Sequence, residues 1–187
     1  MKRLFIGVQV SPALQPDLKQ VYDKLKQMAQ AHEYNIRWSP EENWHITIQF
    51  LGNSEEALVP KISEALDQVA NNYRSFTVRA SGVGGFPEER KARVIYAGVS
   101  RTQELLDLQS SVEQATQELG FTPEDREYSP HITLGRLRSA GSISDLISPF
   151  VRKKFEDFQL TELILFESTL RGTFPHYEPL HRSRLAE

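Results

Sequence analysis

Two short segments of this chain carry the same reactive residues. Residues 44–52 read WHITIQFLG and residues 130–138 read PHITLGRLR, so both contain His-Ile-Thr followed by an aliphatic residue. The histidines, His45 and His131, are two of only five in the chain. A histidine has an ordinary pKa of about 6.5, so near neutral pH one imidazole can be neutral while another is protonated. The repeat therefore predicts a general base and a general acid that work as a pair.

Such a pair suits the cleavage of a phosphodiester. The neutral imidazole would take a proton from an attacking water and the protonated one would give a proton to the leaving oxygen, each transfer being worth about 10²–10⁴-fold in rate. Thr47 and Thr133 follow the histidines by one strand repeat, and their hydroxyls can hold the non-bridging oxygens of a phosphate. The alternative is a pair of ordinary strands, since Ile and Thr are common in β-sheets. The recurrence of the tetrapeptide at the same place in each half favours catalysis.

Strand alternation predicts which of these side chains face the substrate. Successive side chains of a β-strand point to opposite faces. The first copy then has His45, Thr47 and Gln49 on one face, with Phe50 and two isoleucines on the other. The second copy repeats this arrangement. The apolar residues are expected in the core, which leaves each His-Thr pair on the face of a cleft.

The elements around the two motifs follow the same order in each half of the chain. Apolar periodicity predicts a strand, a helix, the motif strand, a second helix and a third strand. The predicted strands or extended segments are residues 4–10, 36–38, 45–51 and 75–86, then 93–99, 131–137, 158–168 and 177–185. The predicted helices begin at Ser11-Pro12, span 55–71, run from a capping box of Ser100 and Gln103 to Gly120, and lie near 143–151.

This order predicts an α+β fold of two similar lobes related by a pseudo-twofold axis. Each lobe would hold an antiparallel sheet flanked by helices, with the catalytic cleft between the lobes. No linker rich in Pro, Gly or Ser separates the halves, so we expect residues 1–187 to form one bilobal domain.

Composition excludes several classes of protein. With 39% hydrophobic and 25% charged residues, the chain is typical of a folded, soluble domain. It has no cysteine, which excludes disulfides and thiolate chemistry and suits the cytoplasm. The net charge of −3 argues against a protein that tracks long nucleic acid, so an RNA partner would be held by its end. The apolar run before Ser11-Pro12 is too short for a membrane span and is better explained as a first strand. A monomer is expected.

The remaining histidines do not form a metal site. None of the histidines has a metal-ligand spacing or an accompanying cluster of carboxylates. His32 and His181 are expected to have structural or surface roles, and His176 could line the rim of the cleft. We predict neither a metal ion nor a cofactor.

Six segments together resemble a known family. They read RLFIGVQV, RWSPEENWHITIQFLG, GVGGFP, RVIYAGV, SPHITLGRLR and LILFESTL followed by PHYEPL, from residue 3 to about residue 180. On these residues the chain resembles the 2H phosphoesterase superfamily, and most of all its RNA 2′,3′-cyclic phosphodiesterases, also called the 2′-5′ RNA ligase (LigT/ThpR-like) family. The resemblance implies a metal-independent hydrolase that opens an RNA 2′,3′-cyclic phosphate to a 2′-phosphate. It also implies that members can run the chemistry in reverse and join tRNA halves through a 2′-5′ linkage.

The resemblance also implies a role for each site residue. His45 corresponds to the proton donor and His131 to the proton acceptor, although nothing in the sequence itself breaks their symmetry. Arg136 corresponds to an arginine that contacts the phosphate. Strand alternation puts Arg136 opposite His131, so the strand must end or bulge near Gly135. Phe50 holds the equivalent place in the first motif, where it could stack on a base, but a core position is favoured.

Two other functions remain open from the sequence. The same chemistry could act on a small nucleotide cyclic phosphate, such as ADP-ribose cyclic phosphate. A non-catalytic module that binds RNA or nucleotides is the other alternative. The presence of both histidines and both threonines favours an enzyme, because a binding module needs no matched acid and base.

Overall fold

A computed structural model describes residues 1–187. Its strands are β1 (Lys2–Gln9), β2 (Ile36–Trp38), β3 (His45–Ser54), β4 (Phe76–Val78), β5 (Ala80–Phe86), β6 (Ala92–Val99), β7 (His131–Gly141), β8 (Phe158–Leu160), β9 (Glu162–Arg171) and β10 (Phe174–Arg184). Its helices are α1 (Gln15–Ala31), α2 (Val59–Ala70), α3 (Gln103–Gln117) and α4 (Ser144–Ile147). No helix is long and apolar enough to cross a membrane.

Eight strands form one antiparallel sheet in the order β10-β9-β1-β3-β7-β6-β5, with β2 also paired to β7. A single backbone pair, Ile46 with Ile132, joins β3 to β7. This pair divides the sheet into two lobes, one made of β10, β9, β1 and β3 and the other of β7, β6, β5 and β2. The predicted α+β fold with two lobes is therefore confirmed, and the pseudo-twofold axis passes between the two motif strands.

The two lobes are not the two halves of the sequence. The third strand of each half leaves its own half: β5 pairs with β6, and β9 pairs with β1. The short β4 and β8 strands, which precede β5 and β9, pair with each other. The short connection after β5 makes it a hairpin partner of β6, so it joins the lobe of the second motif. The exchange of strands explains why no linker separates the halves.

The larger of two apolar clusters lies beneath the sheet. It contains 40 buried residues drawn from both halves of the chain. The smaller cluster is Phe5, Ile164 and Phe166, with Tyr177 packed against it. The helices bury the apolar stripes that the sequence predicts, for example Ile62, Leu66 and Val69 of α2. Helix α2 packs against β9 and β10, α3 against β3, and α1 against α4. The opposite face of the sheet carries the polar side chains of both His-x-Thr motifs.

Two predicted helix starts need correction. Helix α1 begins at Gln15 rather than at Ser11, whose carbonyl oxygen instead accepts a hydrogen bond from the backbone N–H of Leu14 in a preceding turn. The proline in its first turn is Pro16 rather than the predicted Pro12. The cap of α3 is Thr102, whose hydroxyl accepts from the N–H of Leu105, and not Ser100. Gly120 follows α3 with a positive φ of 93°, as its predicted role requires.

Candidate active site

Each motif strand contains a β-bulge at the same distance from its histidine. The register of β3 against β1 advances by one residue after Thr47, so Ile48 is the extra residue. The register of β7 against β6 advances in the same way after Thr133, so Leu134 is the extra residue. A bulge reverses the alternation of the side chains that follow it. In both strands, therefore, the residue five positions after the histidine returns to the histidine's face.

The bulge in β3 overturns two expectations for the first motif. Gln49, expected to face the cleft, is buried, and its Oε1 accepts a hydrogen bond of 2.8 Å from the hydroxyl of Thr116 in α3. Phe50, favoured as a core residue, is 65% exposed. Its ring lies 6.1 Å from that of Phe5, centroid to centroid. Strand alternation alone predicted the opposite orientations for Gln49 and Phe50, because it takes no account of the extra residue in the bulge.

The bulge in β7 turns Arg136 toward the face where the family resemblance places a phosphate-binding arginine. Arg136 is exposed and shares the face of His131. Its positive charge lies near enough to both catalytic candidates to lower the pKa of each. Gly135, expected near the bulge, is needed for a second reason: a Cβ there would lie 2.9 Å from Cγ2 of Ile36 in the adjacent β2 strand.

The pair between Ile46 and Ile132 brings the two motifs together. Because the strands are antiparallel, this register sets His45 across from Thr133, and Thr47 across from His131. The isoleucines are buried on the core face, so the four polar side chains share the open face. Both His-x-Thr motifs thus converge on one cleft.

Backbone carbonyl groups set the tautomer of both histidines in the same way. Nδ1 of His45 lies 2.7 Å from the carbonyl oxygen of Asn43, and Nδ1 of His131 lies 2.7 Å from that of Ser129. A carbonyl only accepts, so Nδ1 carries the proton in each ring and Nε2 is the basic atom. The Thr47 hydroxyl donates to Nε2 of His45 over 2.9 Å. Each ring therefore presents Nε2 for proton transfer.

Aromatic side chains surround each imidazole. His45 has its ring centroid 4.9 Å from that of Phe5 and 5.2 Å from that of Tyr177. His131 is 4.8 Å from Phe86 and 5.6 Å from Tyr96 in the same measure. None of these four rings was predicted from the sequence, since they come from strands that pair only in the tertiary structure.

Burial among these rings lowers the pKa of both histidines. The pKa of His45 is lowered to about 4, mainly by desolvation. The hydrogen bond to Asn43 opposes this shift, and positive charge on His131 and Arg136 adds to it. Desolvation likewise lowers the pKa of His131, with Arg136 adding to the effect and the bond to Ser129 opposing it. Both imidazoles are therefore largely neutral at pH 7 in the free protein.

The tip of the β9–β10 hairpin reaches across the cleft. The side-chain amide of Asn43 donates to the carbonyl oxygen of Pro175 over 2.7 Å, and the Arg37 guanidinium donates to that of Thr173 over 3.4 Å. These bonds tie the hairpin to β2 and to the turn that precedes β3. Tyr177 of the same hairpin packs against His45. No local sequence pattern indicated these bonds.

The other three histidines lie outside this constellation. His176 is exposed on β10, and strand alternation turns it away from the face of Tyr177, so it does not line the cleft beside His45. Nε2 of His181 lies 2.8 Å from a carboxylate oxygen of Asp67, which joins β10 to α2. His32 ends α1. No three His, Asp or Glu side chains are grouped in a way that could hold a metal ion.

Known proteins share both the sequence pattern and the fold. A family model described as "LigT like Phosphoesterase" matches residues 10–96 and 98–176. The chain is 28% identical over 186 residues to an RNA 2′,3′-cyclic phosphodiesterase of Methanothermobacter thermautotrophicus, with 98% of both chains covered. It is 29% identical over 179 residues to the protein of that name from Archaeoglobus fulgidus, with 95% of this chain and 97% of the other covered.

Solved structures have the same architecture. The protein TT0787 of Thermus thermophilus superposes with a TM-score of 0.82 at 24% identity, over 98% of this chain and 97% of that one. Escherichia coli LigT, crystallised with 3′-AMP, superposes with a TM-score of 0.73 at 22% identity, over 100% and 99% of the two chains. These likenesses establish the fold.

Proposed function

Because this chain belongs to the LigT-like phosphoesterase family, we propose that it hydrolyses RNA 2′,3′-cyclic phosphate ends to 2′-phosphates. The observation that carries the proposal is the convergence of two His-x-Thr motifs on one cleft, with Nε2 of each ring facing the reaction. The relatives named RNA 2′,3′-cyclic phosphodiesterase, matched over nearly the full length of both chains, support the choice of substrate.

In the proposed reaction, water attacks phosphorus and the bond to O3′ breaks. His131 is the proton acceptor: its Nε2 takes a proton from the water as the new P–O bond forms. His45 is the proton donor: its Nε2, protonated in the complex, gives a proton to O3′ as that oxygen leaves. O2′ keeps the phosphoryl group, so the products are a 2′-phosphate and a 3′-hydroxyl. Two proton transfers of this kind provide about 10⁴–10⁸-fold together.

Three side chains are proposed to hold the phosphate. The hydroxyls of Thr47 and Thr133 donate to the two non-bridging oxygens. The Arg136 guanidinium offsets the negative charge that grows on the phosphoryl oxygens, which suits a planar group with several donors. Phe50, exposed on the same face, offers its ring to the terminal base. The residues themselves supply acid, base and charge, so we propose that neither a metal ion nor a cofactor takes part.

We propose that substrate binding raises the pKa of His45 so that the ring is protonated in the complex. In the free protein both imidazoles have lowered pKa values and Arg136 opposes a further positive charge. A cyclic phosphodiester carries one negative charge, which neutralises the effect of Arg136 and favours a protonated imidazole. The proton on His45 is therefore taken up together with the substrate.

The same geometry would support ligation. If the 5′-hydroxyl of a second RNA takes the place of water, His131 accepts its proton, the bond to O3′ breaks and a 2′-5′ linkage results. Its reversal uses the histidines in exchanged roles. We further propose that residues 1–187 act as one bilobal domain, as a monomer and in the cytoplasm, with tRNA halves among the RNA partners.

Product analysis tests the reaction. An oligoribonucleotide with a 2′,3′-cyclic phosphate end is incubated in EDTA with wild type, His45→Ala or His131→Ala. We expect wild type to form the 2′-phosphate and each variant to lose about 10²-fold or more. The matched control is His176→Ala, an exposed histidine outside the cleft, which keeps wild-type turnover. Formation of the 3′-phosphate, loss of activity in EDTA or full activity of either alanine variant at the cleft would contradict the proposal.

A further inference from the structure

A second cavity opens beside the catalytic cleft. It has a volume of about 460 Å³ and is walled by α1, β2, the later part of β7 and the tip of the β9–β10 hairpin. Three cations, Lys26, Arg37 and Arg138, and two aromatic rings, Trp38 and Phe174, line it. These five residues define what we call the basic groove.

The cations of the basic groove have no acidic partners. No carboxylate oxygen of the chain lies within 4 Å of a side-chain nitrogen of Lys26, Arg37 or Arg138, whereas six other Lys and Arg side chains are paired in this way. The chain as a whole is acidic, with a net charge of −3, so this positive charge is a local concentration. An unpaired group of cations beside aromatic rings is the usual composition of a surface that holds a single nucleic-acid strand.

The strand register adds a second observation. Arg37 of β2 stands directly opposite Arg136 of β7. Like charges in such positions repel and destabilise a sheet. An anion that lies over both guanidinium groups removes this repulsion, so the pair is better suited to a bound ligand than to the free protein.

The register also makes the basic groove continuous with the cleft. Arg138 follows Arg136 by two residues on β7, so the two share a face, and Arg37 joins them from the neighbouring strand. The three guanidinium groups form a row. It leads from the proposed phosphate site at Arg136 to the free edge of β2.

We propose that the basic groove binds the RNA strand that leads to the reacting end. A 2′,3′-cyclic phosphate ends a strand at its 3′ side, so the chain continues from the cleft in the 5′ direction only. The phosphates that precede the terminal nucleotide lie on Arg37, Arg138 and Lys26, and Phe174 offers a ring face to a base. The inference rests on the proposed function and makes polymeric RNA, rather than a small cyclic nucleotide, the preferred substrate.

Two substrates distinguish RNA binding in the basic groove from the reaction at the two histidines. We would measure kcat/KM for a hexaribonucleotide with a 2′,3′-cyclic phosphate end and for adenosine 2′,3′-cyclic monophosphate, which is too short to reach the groove. Wild type is expected to favour the hexamer. In Arg37→Ala and Arg138→Ala the ratio of the two values falls about tenfold, the effect of one lost charged contact. Arg138→Lys recovers part of the ratio, and Arg152→Ala, an exposed arginine in the turn after α4, leaves it unchanged.

Direct binding keeps the test independent of turnover. Fluorescence anisotropy with the labelled hexamer gives Kd against salt, and each arginine variant is expected to bind about tenfold more weakly with a salt slope smaller by about one. Equal Kd values and equal kcat/KM ratios in wild type and both alanine variants would contradict the proposal that the basic groove binds RNA. If neither wild type nor any variant cleaves either substrate while the arginine variants still bind the hexamer more weakly, the proposed reaction is wrong but RNA binding by the basic groove is supported.

Discussion

Ile46 of β3 pairs with Ile132 of β7, and this one backbone pair joins the two lobes of the sheet. Each isoleucine follows a histidine directly, so the pair that joins the lobes also brings the two imidazoles near each other, and positive charge on His131 lowers the pKa of His45. Beyond this pair, β7 is bonded to β2 instead of β3.

The rate should depend on pH in a way that reveals the lowered pKa values. The reaction needs one protonated and one neutral imidazole, and kcat/KM reports the free enzyme. Because burial lowers the pKa of both histidines, the optimum of kcat/KM should lie below 6.5, and the rate should fall as the pH rises through neutrality. Steady-state kinetics between about pH 4 and pH 9 measure this.

A matched variant checks the cause of that pH dependence. Arg136→Gln removes a positive charge that lowers both pKa values, so its optimum should move to higher pH whatever it does to the absolute rate. An optimum of the wild-type kcat/KM above pH 7, or no movement in the variant, would show that these histidines are not the titrating groups.

Stability should be lost on the acid side. His45 has a folded pKa of about 4 against about 6.5 in an unfolded chain, so between these values the unfolded chain binds the additional proton. The free energy of unfolding is then unaffected above about pH 6.5 and falls below it, by at most about 1.4 kcal/mol per pH unit for one group. Urea unfolding at neutral and at mildly acid pH should show a smaller fall for His45→Gln than for wild type. An equal fall would contradict the burial of His45.

Phe50 should matter for RNA and not for folding. Its ring is exposed, so Phe50→Ala should change the free energy of unfolding by no more than about 0.5 kcal/mol. If the ring stacks on the terminal base, its loss weakens RNA binding by about 1–3 kcal/mol. Phe50→Tyr keeps the ring face and serves as the control. A variant Phe50→Ala that unfolds readily yet binds RNA normally would reverse the interpretation.

Thr47 should affect both phosphate binding and the pKa of His45. Thr47→Val removes a phosphate donor and should cost about 10²-fold in kcat, whereas Thr47→Ser should retain most of the activity. The hydroxyl now donates to neutral Nε2 of His45, so its removal should also raise the pKa of that ring. NMR titration of His45 in the valine variant measures this shift independently of the rate. A fall in that pKa would indicate that the hydroxyl accepts rather than donates.

Local patterns predicted the elements and the chemistry of this protein. The apolar stripes of α1, α2 and α3 and the alternation of the motif strands could be read directly, because helix and strand periods are properties of short segments. The pair of His-x-Thr tetrapeptides could be read in the same way. Both the fold class and the candidates His45 and His131 therefore followed from the sequence.

Only the tertiary structure decided how those parts fit together. The bulge at Ile48 turned Gln49 into the core and Phe50 out of it, and no residue of β3 indicated that bulge. The bulge at Leu134 brought Arg136 to the face of His131, where Gly135 had given a hint of it. The exchange of β5 and β9 between the lobes, the rings around the imidazoles and the row of Arg37, Arg136 and Arg138 have the same origin. The sequence thus determined which groups are present and where each stands along its strand. Pairing between segments far apart in the chain determined which face each group occupies, how far it is desolvated and which groups it meets.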